Sequence, residues 1–148
     1  MLKKLIIFLI LATAIALFAL ANRPPKEFVL QTDVLNEASG IDFGILNKQV
    51  LFSHNDSGNK AEIYALTIDG KLLSTLILKG TKNRDWEDIA VAKDPQNDIS
   101  YIYIADIGDN NAKYNTVYVY RFKEPQLTGK NEILQISAVD TIEISYED

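Results

Sequence analysis

From residue 27 onward the chain runs as short stretches rich in β-branched and aromatic residues, each closed by Gly, Asn, Asp or Pro. Such side chains pack well on a pleated surface, and the separators favour turns, so the pattern reads as strand after strand. "EFVLQTDV" (27–34), "SGIDFGI" (39–45), "QVLFSH" (49–54), "EIYALTI" (62–68) and "KLLSTLIL" (71–78) form a first series. "WEDIAVA" (86–92), "SYIYIADI" (100–107), "TVYVYRF" (116–122) and "ILQISAVDTIEISY" (133–146) form a second. Asp69-Gly70 reads as a two-residue hairpin turn, since both residue types tolerate positive φ. No stretch here has a helical period, and the expected fold class is all-β.

The two series also match each other. Ile41 falls on Ile89, Ser53-His54 on Ala105-Asp106, and Ile63 to Leu66 on Val117 to Tyr120, with offsets of 48, 52 and 54. A four-stranded unit of about 50 residues that recurs is the signature of β-propeller blades. A β-sandwich also suits short strands with frequent turns. The propeller is preferred because strand type and turn type recur together. The expected organisation is an edge strand (27–35), a first blade (36–79) and a second blade (85–148), together a partial propeller over 27–148. Propellers need about four to eight blades, so the chain is expected to be the N-terminal part of a longer protein. Open sheet edges invite association.

Ahead of the strands, "MLKK" precedes an unbroken apolar run from Leu5 to Ala21 that ends in Ala19-Leu20-Ala21. This has the shape of a secretory signal peptide. It is also nearly long enough to be an uncleaved anchor, which would be the only membrane contact. Residues 22–26 then serve as a linker, and the rest is expected to be exported, periplasmic or extracellular. The absence of cysteine excludes disulfides and thiolate metal ligands. With 20 acidic against 15 basic residues and no basic cluster in the exported part, no nucleic-acid partner is expected.

In antiparallel blades the start of the first strand lies beside the end of the second. "NEASG" (36–40) and "DWEDIA" (85–90) stand at such starts, and "HNDSG" (54–58) and "DIGDN" (106–110) at such ends. All four therefore gather on one rim. It carries the carboxylates Glu37, Asp56, Asp85, Glu87, Asp88, Asp106 and Asp109, with Ser39, His54, Asn55, Ser57 and Asn110 as neutral donors and acceptors. Like charges crowded together repel unless a cation neutralises them. An oxygen-rich set suits calcium or magnesium, and a lone histidine without thiols does not suit zinc. Period two sends Glu87 and Asp88 to opposite faces, and the alignment with Ser39 favours Glu87 for the channel. Trp86 reads first as a packing residue between blades and second as a ligand platform. His54 reads as a loop cap or a rim ligand.

The segments "EASGIDF", "LFSHNDSGNKAEIYALTIDGKL", "DWEDIAV" and "YIYIADIGDNN…VYVYRFKEP" resemble exported bacterial β-propellers of the TolB-like and NHL-type group. Within it they look most similar to SdiA-regulated and phytase-like (esterase-like) propellers. The phytase-like resemblance implies calcium held by Glu37, Asp56, Glu87, Asp88, Asp106 and Asp109, and hydrolysis of phosphate esters. A gluconolactonase-like resemblance implies a metal held by Glu37 or Glu87 with Asn55 or Asn110 and Asp106. No Lys/Arg cluster for phosphate accompanies these positions. Two function classes stay open. One is a divalent-cation-binding module for a small-molecule or cell-surface ligand, with Ser39, His54, Asn55, Trp86 and Asn110 on the ligand rim. The other is a calcium-dependent hydrolase acting on a phosphate ester or lactone through a metal-activated water. Expressed alone, the chain is expected to self-associate or bind hydrophobic dyes; a dye-negative, monomeric, cooperative unfolding transition would overturn the reading as a piece of a larger propeller.

Overall fold

The computed structural model describes residues 9–13, 15–18 and 26–146. Residues 9–13 and 15–18 are helical, and no described helix is long and apolar enough to cross a membrane. The small-x-small motif at 19–21 and most of the expected linker, residues 22–25, lie outside the described residues, as do residues 1–8 at the start of the expected signal segment.

The described chain is mostly β-sheet. Its strands are β1 (Ala38–Phe43), β2 (Val50–Asn55), β3 (Glu62–Thr67), β4 (Leu72–Leu78), β5 (Trp86–Lys93), β6 (Ser100–Asp106), β7 (Thr116–Lys123), β8 (Glu132–Ile136) and β9 (Asp140–Ser145). They form a first sheet in the order β1-β2-β3-β4-β8 and a second in the order β5-β6-β7-β9, both open. Every expected strand from 39 to 122 is present within two residues at either end. Two expectations fail. Residues 27–35 make no strand; they lie across the first sheet, where the Gln31 N–H donates to the Gly70 carbonyl. The stretch 133–146 is two strands, broken at Ser137-Ala138-Val139, that join different sheets. β8 lies parallel to β4 at the edge of the first sheet, and β9 antiparallel to β7 at the edge of the second.

The turn at Asp69-Gly70 forms, with a loop one residue longer than expected. The Gly70 N–H donates to the Thr67 carbonyl and the Thr67 N–H to that of Lys71, so residues 68–70 make the loop and Gly70 takes the positive φ. This is the three-residue hairpin, which needs one left-handed residue where the two-residue turn needs two.

The sheets stack face to face. Phe52, Ile63, Ala65, Leu76 and Leu78 of the first sheet meet Trp86, Ile89, Ile102, Ile104, Tyr120 and Phe122 of the second in one buried cluster. Alternation supplies the stripe: Ile102, Ile104 and Asp106 point inward while Tyr103 and Ala105 point outward. A smaller cluster of Leu35, Tyr64 and Leu66 lies on the far face of the first sheet, under the segment that enters it. β1 and β5 approach closely. A Cβ on Gly40 would stand 2.8 Å from the Ile89 nitrogen, so only glycine lets the two backbones meet. The Val91 N–H then donates to Asp42 Oδ2 at 2.7 Å.

At the opposite end, Glu124 clasps the sheets together. Its buried carboxylate accepts from the backbone N–H groups of Ile45, Leu46 and Asn47, from Asn47 Nδ2 and from the Ser100 hydroxyl, at 2.6–3.2 Å. Asn47 in turn donates to the Pro125 carbonyl and accepts from the Leu127 N–H. Burial by itself would raise the Glu124 carboxyl, but these donors outweigh it and hold it below the ordinary glutamate value. A lowered folded value means stability that is present above the unfolded pKa and lost as pH falls through the folded one. Glu124→Ala, which strands several buried donors, is expected to cost about 3 kcal/mol in denaturant unfolding. Glu124→Gln should cost less, and the gap between it and the native chain should narrow as pH falls from about 5 to 3.

Candidate metal centre

The antiparallel ladders set the four turn motifs side by side. Ala38 pairs with Asn55 across β1–β2, and Trp86 with Asp106 across β5–β6, so each strand start lies against a strand end. Each ladder has a bulge just beyond, between Ala38 and Gly40 and between Trp86 and Asp88. Because β1 stacks on β5, with Ser39 Oγ 3.4 Å from the Glu87 carbonyl oxygen, both pairs share one end of the sheet stack.

Three carboxylates converge there. Asp56, Asp85 and Glu87 each place an oxygen within 4.8 Å of the others. Asp56 follows β2 in the first sheet, and its N–H donates to the Glu37 carbonyl at 2.8 Å. Asp85 precedes β5, held by its own N–H on Asp106 Oδ1 (2.7 Å) and by the Gly108 N–H on its carbonyl (3.0 Å). Glu87 is the extra residue of the β5 bulge, which turns its side chain out of the pleat. Gly108 packs directly on the cluster: a Cβ there would run into the Asp85 carboxyl and Glu87 Oε1. The backbone thus walls one side of the acids and leaves no room for a side chain.

Asn83, which the sequence did not single out, spans the gap between the sheets. Its buried amide donates to the carbonyls of Asn55 (3.0 Å) and Asp56 (2.8 Å), and its Oδ1 accepts from the Trp86 N–H (3.1 Å). One side chain therefore ties the Asp56 turn to the start of β5. Its signal was weak, an Asn in a loop being ordinary turn chemistry.

Of the six expected metal ligands, the structure brings Asp56 and Glu87 together and adds Asp85. The others are engaged elsewhere. The Glu37 carboxylate accepts from Asn59 Nδ2 at 2.8 Å. Asp88 accepts from its neighbour's N–H, Ile89, and lines an apolar groove with Ser39 and Gly40. Asp109 accepts from the N–H groups of Lys113 and Tyr114, both at 2.8 Å, which close its loop and hold its carboxyl below the usual range. Asp106 is 1% exposed and faces the interior rather than the rim. Besides the Asp85 N–H it accepts from the Tyr120 hydroxyl at 3.2 Å, and Arg84 donates to its carbonyl. Burial pushes the Asp106 carboxyl up, against the pull of the Asp85 N–H and the Arg84 charge. Burial and the Asp106 charge push the Tyr120 hydroxyl up to about 12.

The expected ligand rim is largely interior. Asn55 is buried, accepting from the Glu37 N–H and donating to the Val34 carbonyl. When the two hairpins are superposed by their bulges, Asn55 falls on Asp106, and both accept from the N–H of the residue before the strand they face. The sequence alignment had set His54 there, one residue off, and in a strand one residue reverses the face. His54 is fully buried, its Nδ1 3.0 Å from the Asn55 carbonyl oxygen and its ring edge-on to Trp86 at 5.5 Å. Trp86, also fully buried, is a packing residue between the sheets. Ser39 is half-buried on β1, and Asn110 is exposed on the loop after β6.

The raised Asp106 carboxyl carries a sign. Its contribution to stability is fully present below the unfolded value of 3.8 and is lost as pH rises through the folded one. Asp106→Asn keeps the acceptor for the Asp85 N–H and removes the titration, as Asn55 already does in the first sheet. Relative to the native chain, the variant is expected to gain stability as pH rises from about 4 to 7 in urea unfolding; a constant difference would refute the buried charge. No protein-family model, curated protein or solved structure matches the chain.

Proposed function

We propose that this chain is the cation-binding part of an exported β-propeller-type protein, holding calcium between Asp56, Asp85 and Glu87 and serving as a binding module for a small-molecule or cell-surface ligand. The observation that carries the reading is the convergence of those three carboxylates, from two sheets, within 4.8 Å of one another. Calcium accepts oxygens at about 2.3–2.6 Å, so ligand atoms up to about twice that distance apart can share one ion. The donor set is all oxygen, which suits a hard cation. Magnesium, with its stricter octahedral demand, fits this open triad less well.

The propeller reading draws support from two hairpins with the same bulge and the same internal acceptor, Asn55 in one and Asp106 in the other. The reading as an exported protein rests on the leader-like residues 1–21. An ion between Asp56 and the Asp85–Glu87 pair would join the two sheets, so its binding is linked to the stability of the stack.

In a thermal melt of the full chain, saturating calcium is therefore expected to raise the midpoint over a chelator control. At about 100 times the dissociation constant the stabilisation should reach about 2.7 kcal/mol. Asp85→Asn with Glu87→Gln should abolish the calcium response, and Asp88→Asn, outside the triad, should keep it. A native chain that melts identically with calcium and with chelator would remove the reading.

A further inference from the structure

We propose that the cleft at the Glu124 end of the sheet stack binds an anionic amphiphile, a fatty-acid-like molecule. Its carboxylate would meet Lys48, Lys93 and Lys123 while its apolar tail lies on Ile45, Leu46 and Ile99. The cleft stands apart from the acid triad, at the other end of the strands, and needs no cation. It begins where the core stops. Val91, Ile102 and Phe122 pack in or against the buried cluster. Two residues on from each, toward this end, come Lys93, Ser100 and Glu124, which continue the same stripe and line the cleft. Its volume is about 520 Å³, within the range of small-molecule pockets.

Both walls are fixed before any ligand arrives. On one side Glu124 accepts the N–H groups of Ile45, Leu46 and Asn47 in succession, which pins the β1–β2 loop. That grip holds Leu46 48% exposed at the cleft, beside the half-buried Ile45 and Ile99. On the other side the β5–β6 hairpin closes on itself. Asp94 accepts from the Gln96 N–H and from Asn97 Nδ2, and Asn97 Oδ1 accepts from the Ile99 N–H. A ligand therefore has little ordering left to impose, which favours affinity. Charge selects the kind of ligand. Two carboxylates line the cleft, and both are engaged: Asp98 lies 2.7 Å from Lys93 Nζ, and the Glu124 oxygens already accept five hydrogen bonds. Lys48 and Lys123 make no ion pair among the described residues. Two unpaired ammonium groups thus border an apolar surface, in a chain with an excess of acid. A small anion would meet the lysines without covering Leu46, and a neutral apolar molecule would cover Leu46 without meeting the lysines. A molecule with an anionic head and an apolar tail does both.

Calorimetric titration of the full chain with decanoate, below its micelle concentration and with chelator present, is expected to show saturable binding of one molecule per chain. Acetate, which has the head alone, and decyltrimethylammonium, which reverses the charge, should bind about tenfold more weakly or not at all. Lys48→Gln with Lys123→Gln should weaken decanoate about tenfold, as two partly exposed ion pairs would. Leu46→Ser should weaken it about fivefold by removing apolar contact. Lys60→Gln, at an exposed lysine outside the cleft, should leave binding unchanged. The cleft variants alter exposed side chains, and cooperative melting of each checks its fold. Asp85→Asn with Glu87→Gln should bind decanoate as the native chain does, so failure of the calcium site and failure of this one are read separately. A native chain without saturable binding overturns the proposal. So does equal binding of decyltrimethylammonium, or decanoate binding that the lysine and Leu46 substitutions leave intact, which would place it elsewhere on the apolar surface. Binding to phosphatidylglycerol vesicles without binding of monomeric decanoate overturns it too, and would make the lysines a membrane contact.

Discussion

Two stacked sheets can slide past one another unless something polar fixes their relative position, and in this chain that task falls first to the Glu124 carboxylate. Hydrophobic burial between Phe52, Ile63, Ile104 and Tyr120 is large but non-directional. Glu124 is directional: from the end of β7 it takes three successive N–H groups of the β1–β2 loop and the Ser100 hydroxyl. Asn83 and the Asp42–Val91 bond fix the sheets further along the stack. Only with that slide fixed can Asp56, on one sheet, stay beside Asp85 and Glu87 on the other. The acid cluster thus depends on a carboxylate that is no part of it.

Much of this was legible in the sequence, and the failures share physical causes. The strands from 39 to 122 were readable because side-chain type and turn type agree at every step. "ILQISAVDTIEISY" was misread as one stretch because Ser137-Ala138-Val139 contains no strong breaker; what divides it is the choice of neighbour, β4 for one half and β7 for the other. "EFVLQTDV" has strand composition, but it packs across the face of the first sheet instead of along an open edge, and composition without a ladder partner makes no strand. Within the site, the gathering of the four turn motifs at one end of the strands could be foreseen, and which of their carboxylates converge there could not. Asp106 and Asp56 look alike on paper; a single step of the pleat makes one an interior acceptor and leaves the other on the surface.

Asn55 and Asp106 pose the same local problem with different answers. Both satisfy an N–H at the entry to a strand that a bulge has just disturbed. The amide does so without charge and has a donor left for the Val34 carbonyl. The carboxylate needs Tyr120 and the nearby Arg84, and its burial still disfavours the ionised form. In return its accepted bond is charge-assisted and therefore stronger. It holds the very residue, Asp85, that must stand firm beside two other acids.

The position of β8 also sets an order of events. It pairs with β4, residue 132 against residue 74, and every strand of the second sheet except β9 lies between them in the chain. The edge of the first sheet cannot be closed until β5, β6 and β7 have been made and the chain has returned. Such a non-local parallel pairing closes slowly. During synthesis, then, the first meander waits with β4 uncovered while its neighbour assembles, and the final step binds both sheets at once.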